Sequence, residues 1–339
     1  MPASMQADRG THQRAARRVP LRSRRWWPWL KRTLTVAFFA LVAALLISEA
    51  RAVDWSQVFA SIRSAPLPVL LGAAALCVLS HLLFSCFDLL GRRYTGHRLG
   101  TRTVMAVNFV SYAFNLNMGA LIGGVAFRFR LYSRLGLNPG VITRVVSLSM
   151  LTNWIGYVLL GAISLLWWPL VLPADWKLGG HALQFIGVLM LAAVSAYLGV
   201  CAFARRRTWA VYGHKVKLPS FRLAALQVLM SCANWLLMAT LLYLLLRQRV
   251  AFDAVLGVLL VAAVAGVITH VPAGLGVLEA VFVALLSTQV PKEQLLAVLL
   301  TYRALYYLAP LFAATLMYLL FEAGLKKRAP GAAKGAPSG

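Results

Sequence analysis

Residues 103–127, TVMAVNFVSYAFNLNMGALIGGVAF, decide how this chain is folded. The stretch is apolar enough to lie in a bilayer, yet its centre has the composition of a turn. The residues that give it this composition are Asn115, Asn117, Gly119, Gly123 and Gly124. The stretch is therefore either an ordinary transmembrane span or a hairpin that returns to the side from which it entered.

The composition of the whole chain identifies the solvent around it. Of its 339 residues, 60% are hydrophobic and 13% are charged, which is far from the mix of a soluble domain. Several apolar runs reach or approach the roughly 20 residues that cross a hydrocarbon core of about 30 Å. We interpret them as helices, because lipid offers no hydrogen-bond partner to backbone groups. These runs cover residues 34–48, 67–90, 103–127, 144–168, 181–204, 223–246, 254–288 and 295–320. We predict one polytopic membrane domain at 33–322, between a disordered basic cytoplasmic arm at 1–32 and a disordered cytoplasmic tail at 323–339.

The distribution of Lys and Arg decides between span and hairpin. The net charge of +25 could indicate a nucleic-acid partner, but the basic residues lie in short segments between apolar runs, so we expect none. If 103–127 is a span, the cytoplasmic and outer segments hold 17 and 16 basic residues. If it is a hairpin, they hold 27 and 6. The positive-inside rule selects the hairpin and places both termini in the cytoplasm.

A second break interrupts the run at 254–288, in the segment THVPAGLG at 269–276. Pro272, Gly274 and Gly276 disrupt a helix there. The count of Lys and Arg that selects the first hairpin makes this segment enter the membrane from outside. Two short spans remain the alternative to a second hairpin. Residues 67–168 and 223–320 then each form span, hairpin and span in opposite orientations, as in inverted-repeat transporters. We predict an all-α polytopic fold with about six full spans and two oppositely oriented re-entrant helical hairpins. The other interpretation is that these Gly and Pro residues only permit close helix packing.

Two charged residues are predicted inside the membrane. Glu279 and Arg303 would each cost about 2.5–3.5 kcal/mol at a lipid-facing helix centre, so both should face inward and towards each other. They either bind substrate or form an ion pair that locks the second hairpin to the last helix. His270 could relay protons or be a hydrogen-bonded histidine at the hairpin tip. His81 is expected in the core, and Asp88 is expected in an interfacial salt bridge near Arg92 and Arg93.

Arg128 and Arg130 follow the first hairpin, where it returns to the cytoplasmic interface. On a helix, residues two apart would not share a face. We therefore expect a return strand or turn that lets both arginines grip one phosphate. The alternative is that they snorkel to bulk anionic headgroups.

No catalytic motif is present, so we expect a transporter and not an enzyme. HExxH, GxSxG, P-loop and dinucleotide-binding patterns are all missing from the sequence. Cys77, Cys86, Cys201 and Cys232 lie in apolar runs without CxxC spacing, and we expect neither a metal site nor a disulfide. With no cofactor and no nucleotide site, transport would use the proton motive force or run downhill.

Three segments resemble a known family. GGVAFRFRLYSRLGL (123–137), HVPAGLGVLEAVFVALL (270–286) and TYRALYYLAPL (301–311) look like hallmark segments of the lysylphosphatidylglycerol synthase transmembrane family. That family includes the flippase half of the MprF proteins and stand-alone inner-membrane proteins of the YbhN type. The resemblance covers about 34–320 and implies a bacterial inner-membrane protein that moves phospholipid between leaflets.

The resemblance also assigns residues and partners. Its motifs map onto Gly123, Gly124, Arg128, Arg130, Pro272, Gly274, Gly276, Glu279, Tyr302, Arg303 and Tyr306. Together with the polar residues named above, they give two predicted groups. The predicted substrate-binding residues are Arg128, Arg130, Asn115, Asn117, His270, Glu279, Arg303, Tyr302 and Tyr306, and the predicted hairpin-tip residues are Gly119, Gly123, Gly124, Pro272, Gly274 and Gly276. Because 339 residues leave no room for the soluble aminoacyl-transferase domain, we expect no synthase activity.

The substrate and the partners remain open at the level of sequence. We expect an anionic or aminoacylated lipid, namely cardiolipin, phosphatidylglycerol or aminoacyl-phosphatidylglycerol, and a homodimer or a lipid-synthesising enzyme as further candidate partners. A small-solute or ion transporter is the alternative function. A scaffold for a lipid-synthesising enzyme is another, favoured if side chains fill the cavity.

Overall fold

The computed structural model describes residues 55–168, 180–211, 214–269 and 274–328, and single positions at 33, 40, 44, 47, 51 and 271. The chain divides into two compact units, Met1–Val53 and Asp54–Gly339. In the first unit the five single positions are helical, while the predicted arm at 1–32 and most of the run at 34–48 lie outside the described residues. The second unit holds everything that follows.

Helices make up nearly all of the described part of the second unit. In chain order they are α1 (Trp55–Ser64), α2 (Leu67–Ser85), α3 (Phe87–Thr95), α4 (Thr101–Met118), the π-helix π1 (Ala120–Ala126), α5 (Phe127–Arg134), α6 (Pro139–Trp167), α7 (Gly180–Phe203), α8 (Phe221–Leu245), α9 (Phe252–Thr269), α10 (Val277–Leu286), α11 (Lys292–Arg303), the π-helix π2 (Ala304–Leu308) and α12 (Ala309–Arg328). A two-stranded antiparallel hairpin, β1 (Thr208–Val211) and β2 (His214–Lys217), lies between α7 and α8.

Six helical segments of the described residues are long and apolar enough to cross a membrane, which confirms an all-α polytopic fold. They are Leu67–Thr95, Pro139–Trp167, Gly180–Phe203, Phe221–Leu245, Phe252–Thr269 and Lys292–Glu322. The set includes α9, which we predicted as a hairpin arm, whereas the predicted span at 34–48 lies mostly outside the described residues. Helix α4 has 18 residues but is not in the set, because Asn108, Ser111 and Asn115 reduce its apolar character.

The chain folds back on itself after α4. Gly119 adopts φ +81°, a left-handed conformation that favours glycine. The rings of Phe114 and Phe127 then stack with centroids 4.1 Å apart, and a Cβ on Gly123 would lie 2.1 Å from the backbone nitrogen of Asn115. Helix α4 and the π1–α5 segment are therefore antiparallel and in direct backbone contact.

The first arm of this hairpin is a long helix. Helix α4 has 18 residues, which corresponds to about 27 Å at 1.5 Å per residue. The helix begins at Thr101 and ends only where Gly119 breaks it.

The second break lies between α9 and α10. Helix α9 ends at Thr269 and α10 begins at Val277, and the two helices pack against each other. Gly274 and Gly276 have φ values of +56° and +76°, left-handed conformations that favour glycine. His270 and Pro272 lie outside the described residues.

Close glycine contacts and helix caps fix the remaining helices. Helix α6 begins at Pro139, where the side chain of Asn138 accepts a hydrogen bond from the Val141 amide at 3.0 Å. A Cβ on Gly156 of α6 would lie 2.4 Å from Ser231 Oγ of α8, so these two helices meet at their backbones. Helix α8 also packs along α2, and the largest core cluster lies around α8, α9 and α11.

One element was absent from the sequence prediction. The β1–β2 hairpin was not predicted; its first strand contains Thr208, Trp209 and Val211, and aromatic and β-branched residues favour strands. Helix α12 continues to Arg328, and the disorder expected at 323–339 stays a prediction.

Candidate functional site

Arg128, the second residue of α5, lies in the interior with only 4% of its surface exposed. Its Nε donates to Asp88 Oδ2 at 3.1 Å, its Nη1 donates to the Gly124 carbonyl at 2.9 Å, and its Nη2 donates to Ser149 Oγ at 3.3 Å and to Asn108 Oδ1. One guanidinium therefore joins α3, α4, π1 and α6. These contacts direct Arg128 into the protein.

The partner of Asp88 differs from the prediction. Asp88 is fully buried, and its Oδ2 accepts hydrogen bonds from Arg128 and, at 2.8 Å, from Tyr132 Oη. Arg92 instead donates to the Leu99 carbonyl and to Thr101 Oγ1. The expected interfacial salt bridge of Asp88 with Arg92 and Arg93 is wrong, because Asp88 lies on the inward face of α3.

Arg130 lies on the other side of α5 from Arg128. Its Nη2 is 3.0 Å from Glu322 Oε1 of α12, and Arg134 and Tyr318 contact the same carboxylate. The return strand or turn that we expected is wrong: residues 127–134 are helical, and two residues in a helix differ by about 200° in direction. The two arginines therefore cannot grip one phosphate together in this conformation. Lipid contact by either one stays a prediction.

Glu279 and Arg303 meet, as the sequence indicated. Arg303 Nε is 2.5 Å from Glu279 Oε1 and Nη2 is 3.0 Å from Oε2, so the pair is bidentate. Arg303 Nη2 also donates to the Gly274 carbonyl at 2.8 Å, and its guanidinium lies 5.5 Å from the ring centroid of Tyr307. Arg303 thus attaches the second break and α10 to the last long helix, and a role of the pair in substrate binding stays a prediction.

Tyr306 belongs to a chain of buried hydroxyl groups. Its Oη lies 2.7 Å from Ser80 Oγ and 3.0 Å from Tyr112 Oη, and Ser80 Oγ donates to Asn234 Oδ1 at 2.8 Å. Tyr302 stacks on Tyr306 with ring centroids 5.3 Å apart. The sequence analysis missed Ser80, Tyr112 and Asn234. Their signal was a polar side chain at the centre of an apolar run.

The predicted tip residues of the first hairpin separate into two roles. Gly119 forms the break, while Gly123 and Gly124 lie in π1, where α4 approaches closely. Asn117 Nδ2 donates to the carbonyls of Ala113 at 2.8 Å and Tyr307 at 3.3 Å. Asn115 contacts Gly124 across the hairpin, where its Oδ1 would lie 2.9 Å from an added Cβ. The asparagines therefore connect the hairpin to itself and to π2.

A separate apolar cleft of about 500 Å³ opens between α6, α8 and α9. It is lined by Leu160, Ile163, Trp168, Leu236, Phe252, Asp253 and Leu256. None of the predicted binding residues belongs to this lining.

Comparison with known proteins identifies the family of this chain. Residues 32–314 match the family described as the lysylphosphatidylglycerol synthase TM region. The chain is 46% identical over 302 residues to the inner membrane protein YbhN of Escherichia coli (strain K12), covering 89% of this chain and 95% of that protein. It is 32% identical over 287 residues to an uncharacterized protein of Synechocystis sp., covering 84% and 89% of the two chains. A phosphatidylglycerol lysyltransferase of Staphylococcus haemolyticus is 24% identical over 309 residues, which are 88% of this chain but 35% of that enzyme.

Proposed function

Because the chain belongs to the lysylphosphatidylglycerol synthase transmembrane family, we propose that it moves phospholipid between the leaflets of the bacterial inner membrane. The observation that carries the proposal is the set of buried charged and polar groups inside an otherwise apolar helical bundle, centred on Arg128 and Arg303. Moving a charged phosphate through hydrocarbon without partners costs on the order of tens of kcal/mol. A lipid transporter therefore needs polar groups at membrane depth.

The proposed architecture is an inverted repeat with two re-entrant hairpins and both termini in the cytoplasm. Its support is that the two halves have matching neighbours. Helix α4 packs on α2 and α12, and its counterpart α9 packs on α8 and α6. The second arms also correspond, since α5 packs on α6 and α10 packs on α11. Short broken helices inside the bilayer are tolerated where they are buried in protein or line a cavity.

The proposed substrate is an anionic phospholipid. The segments assigned to the cytoplasm carry 27 of the 34 Lys and Arg residues, and basic surfaces attract anionic headgroups by about 1 kcal/mol per residue. Beside α12, Arg130 and Arg134 share the single carboxylate of Glu322, so this cluster keeps a net positive charge. Phosphatidylglycerol, cardiolipin and aminoacyl-phosphatidylglycerol are the lipids to compare, the last because one relative is named a phosphatidylglycerol lysyltransferase.

A membrane scaffold for a lipid-synthesising enzyme is the second candidate. It is favoured by the pairing of interior polar groups with one another, as between Arg303 and Glu279 and between Ser80 and Asn234. A scaffold requires no lipid to pass through these groups.

Reconstitution distinguishes the two functions. The purified protein is placed in vesicles with headgroup-labelled phosphatidylglycerol, and an impermeant quencher reports how fast inner-leaflet lipid reaches the outer leaflet. We expect faster exchange than in protein-free vesicles and slower exchange with Glu279→Gln, whose amide cannot form the bidentate ion pair with Arg303.

The matched control is Glu293→Gln, which alters an exposed carboxylate in the first turn of α11 and should exchange lipid like the unmodified protein. Exchange no faster than in protein-free vesicles, for each of the three lipids, would reject lipid movement in favour of the scaffold.

A further inference from the structure

His81 of α2 is a buried histidine with one unused nitrogen. Only 3% of its surface is exposed, and its Nδ1 lies 3.0 Å from the Cys77 carbonyl. A carbonyl only accepts, so Nδ1 carries the hydrogen and Nε2 presents a bare lone pair. Within the described part of the chain, Nε2 has no hydrogen-bond partner.

Three aromatic rings surround the imidazole of His81. The ring centroids of Tyr306, Tyr112 and Phe109 lie 4.7, 5.3 and 6.0 Å from that of His81. An aromatic ring attracts a cation that lies over its face, and the rings of Tyr306 and Tyr112 are tilted by 58° and 53° from the plane of the imidazole. The imidazole therefore sits in a cage of three aromatic rings.

The ionisable groups around His81 provide it with no counter-charge. They are Cys77 on α2, Tyr112 on α4, Tyr302 on α11, and Tyr306 and Tyr307 on π2. Helix α8 contributes Asn234, which does not titrate, and α3 contributes Asp88, which is paired with Arg128. Arg303, beside Tyr307, is paired with Glu279. A protonated His81 would thus be a buried positive charge without an ion-pair partner among the described residues.

The hydroxyl groups beside His81 form a chain with one direction. Ser80 Oγ uses its single hydrogen towards Asn234 Oδ1, so Tyr306 must donate to Ser80, and Tyr112 must then donate to Tyr306. The aligned donors run from α4 through π2 and α2 to α8. Such a network can transfer protons by successive hydrogen-bond exchange next to the imidazole.

We propose that His81 Nε2 binds one proton for each anionic phospholipid that crosses the membrane, so that lipid movement is coupled to the pH gradient. Nε2 takes a proton from water on the acidic side to form an N–H bond and returns it to water on the alkaline side when that bond breaks, and nothing is oxidised or reduced. The missing counter-charge is the phosphate of the lipid. Proton and lipid therefore favour each other's binding by the same factor.

The inference rests on the proposed function and adds a direction and an energy source to it. Because one proton accompanies one negative phosphate, the step is electroneutral. It responds to a pH gradient and not to a membrane potential, and anionic lipid accumulates in the leaflet that faces the alkaline side.

The test uses vesicles of phosphatidylcholine with a trace of labelled phosphatidylglycerol and a pH difference of one unit. One proton per lipid then supplies about 1.4 kcal/mol, which corresponds to an approximately tenfold excess of label in the alkaline-side leaflet. His81→Gln should still exchange lipid but leave the label evenly distributed. The matched control is His181→Gln, at an exposed position near the start of α7, which should retain the tenfold excess. A potassium diffusion potential without a pH difference should produce no excess with the unmodified protein or with His181→Gln. His81→Gln moves the lipid's negative charge without a proton, so the same potential should draw its label towards the positive side.

Tyr306→Phe is a second variant in case His81→Gln does not fold. It keeps the ring of the cage and removes the hydroxyl that joins Tyr112 to Ser80, so the excess should develop several-fold more slowly. An even distribution in the unmodified protein, with lipid exchange still fast, overturns the proton proposal and leaves the proposed function intact. A tenfold excess with His81→Gln also overturns it. Failure of the unmodified protein to exchange lipid at all refutes the proposed function, and the proton proposal with it.

Discussion

Replacing Arg128 by methionine should destabilise the protein by about 3–5 kcal/mol, the cost of removing one partner from a buried ion pair. Asp88 is fully buried, and its other neighbour at Oδ2 is the neutral hydroxyl of Tyr132. The substitution therefore leaves a buried carboxylate without a compensating charge. It also removes the donors to Asn108 and to the Gly124 carbonyl.

The assay is thermal unfolding of the detergent-purified protein. At roughly 2 °C or more per kcal/mol, Arg128→Met should lower the midpoint by at least about 6 °C. Adding Asp88→Asn removes the stranded charge, so the double variant should lose less than the sum of the two single losses. The unfolding midpoint of Arg128→Lys should lie between those of the unmodified protein and Arg128→Met, because an ammonium can pair with Asp88 but cannot reproduce the planar set of donors.

The matched control is Arg134→Met. The side chain of Arg134 is 36% exposed, and Glu322 keeps Arg130 as a partner, so the loss should be about 0–1 kcal/mol. If Arg128→Met unfolds at the same temperature as Arg134→Met, Asp88 needs no counter-charge and the reasoning about this network is refuted.

Three further predictions address the fold and the second ion pair. Single cysteines introduced at Gly100 and Leu137 should both resist an impermeant thiol reagent added from outside; labelling of the second alone would make 103–127 a span. Glu279→Gln should slow lipid exchange. The double variant with Arg303→Gln should lose less of the exchange rate, on a free-energy scale, than the sum of the two single variants, whereas strict additivity would mean that the two residues act independently. Gly123→Ala would place a Cβ 2.1 Å from the backbone of α4, so it should separate the hairpin arms and lower the unfolding midpoint, and an unchanged midpoint would contradict the close contact.

Several features could be predicted from local sequence. The apolar runs identified membrane helices because lipid allows the backbone no other partner. The break at Gly119 was visible in its asparagine- and glycine-rich surroundings. Glu279 and Arg303 were expected to meet because each is too costly to leave in lipid alone, and the structure joins them in a bidentate pair.

The sequence was least informative about Arg128 and Arg130. Their spacing suggested a shared phosphate on a strand or turn, but the π1 helix continues directly into α5. One arginine consequently turns inward to Asp88 and the other outward to Glu322. These partners could be predicted only by knowing how α5 is rotated about its axis in the folded protein.

The sequence by itself determined the solvent, the helical content and the positions at which helices break, since each depends on composition or on a few neighbouring residues. Only the tertiary structure decided which polar groups meet. Tyr306 reaches Ser80 across 226 positions of sequence, and Arg128 reaches Asp88 across 40. Such pairs depend on how each helix is rotated about its axis and how closely it packs. Close packing is set by contacts such as that of Gly156 of α6 with Ser231 of α8. In an apolar bundle a buried polar group must find a partner, but the packing of distant helices determines which partner it finds.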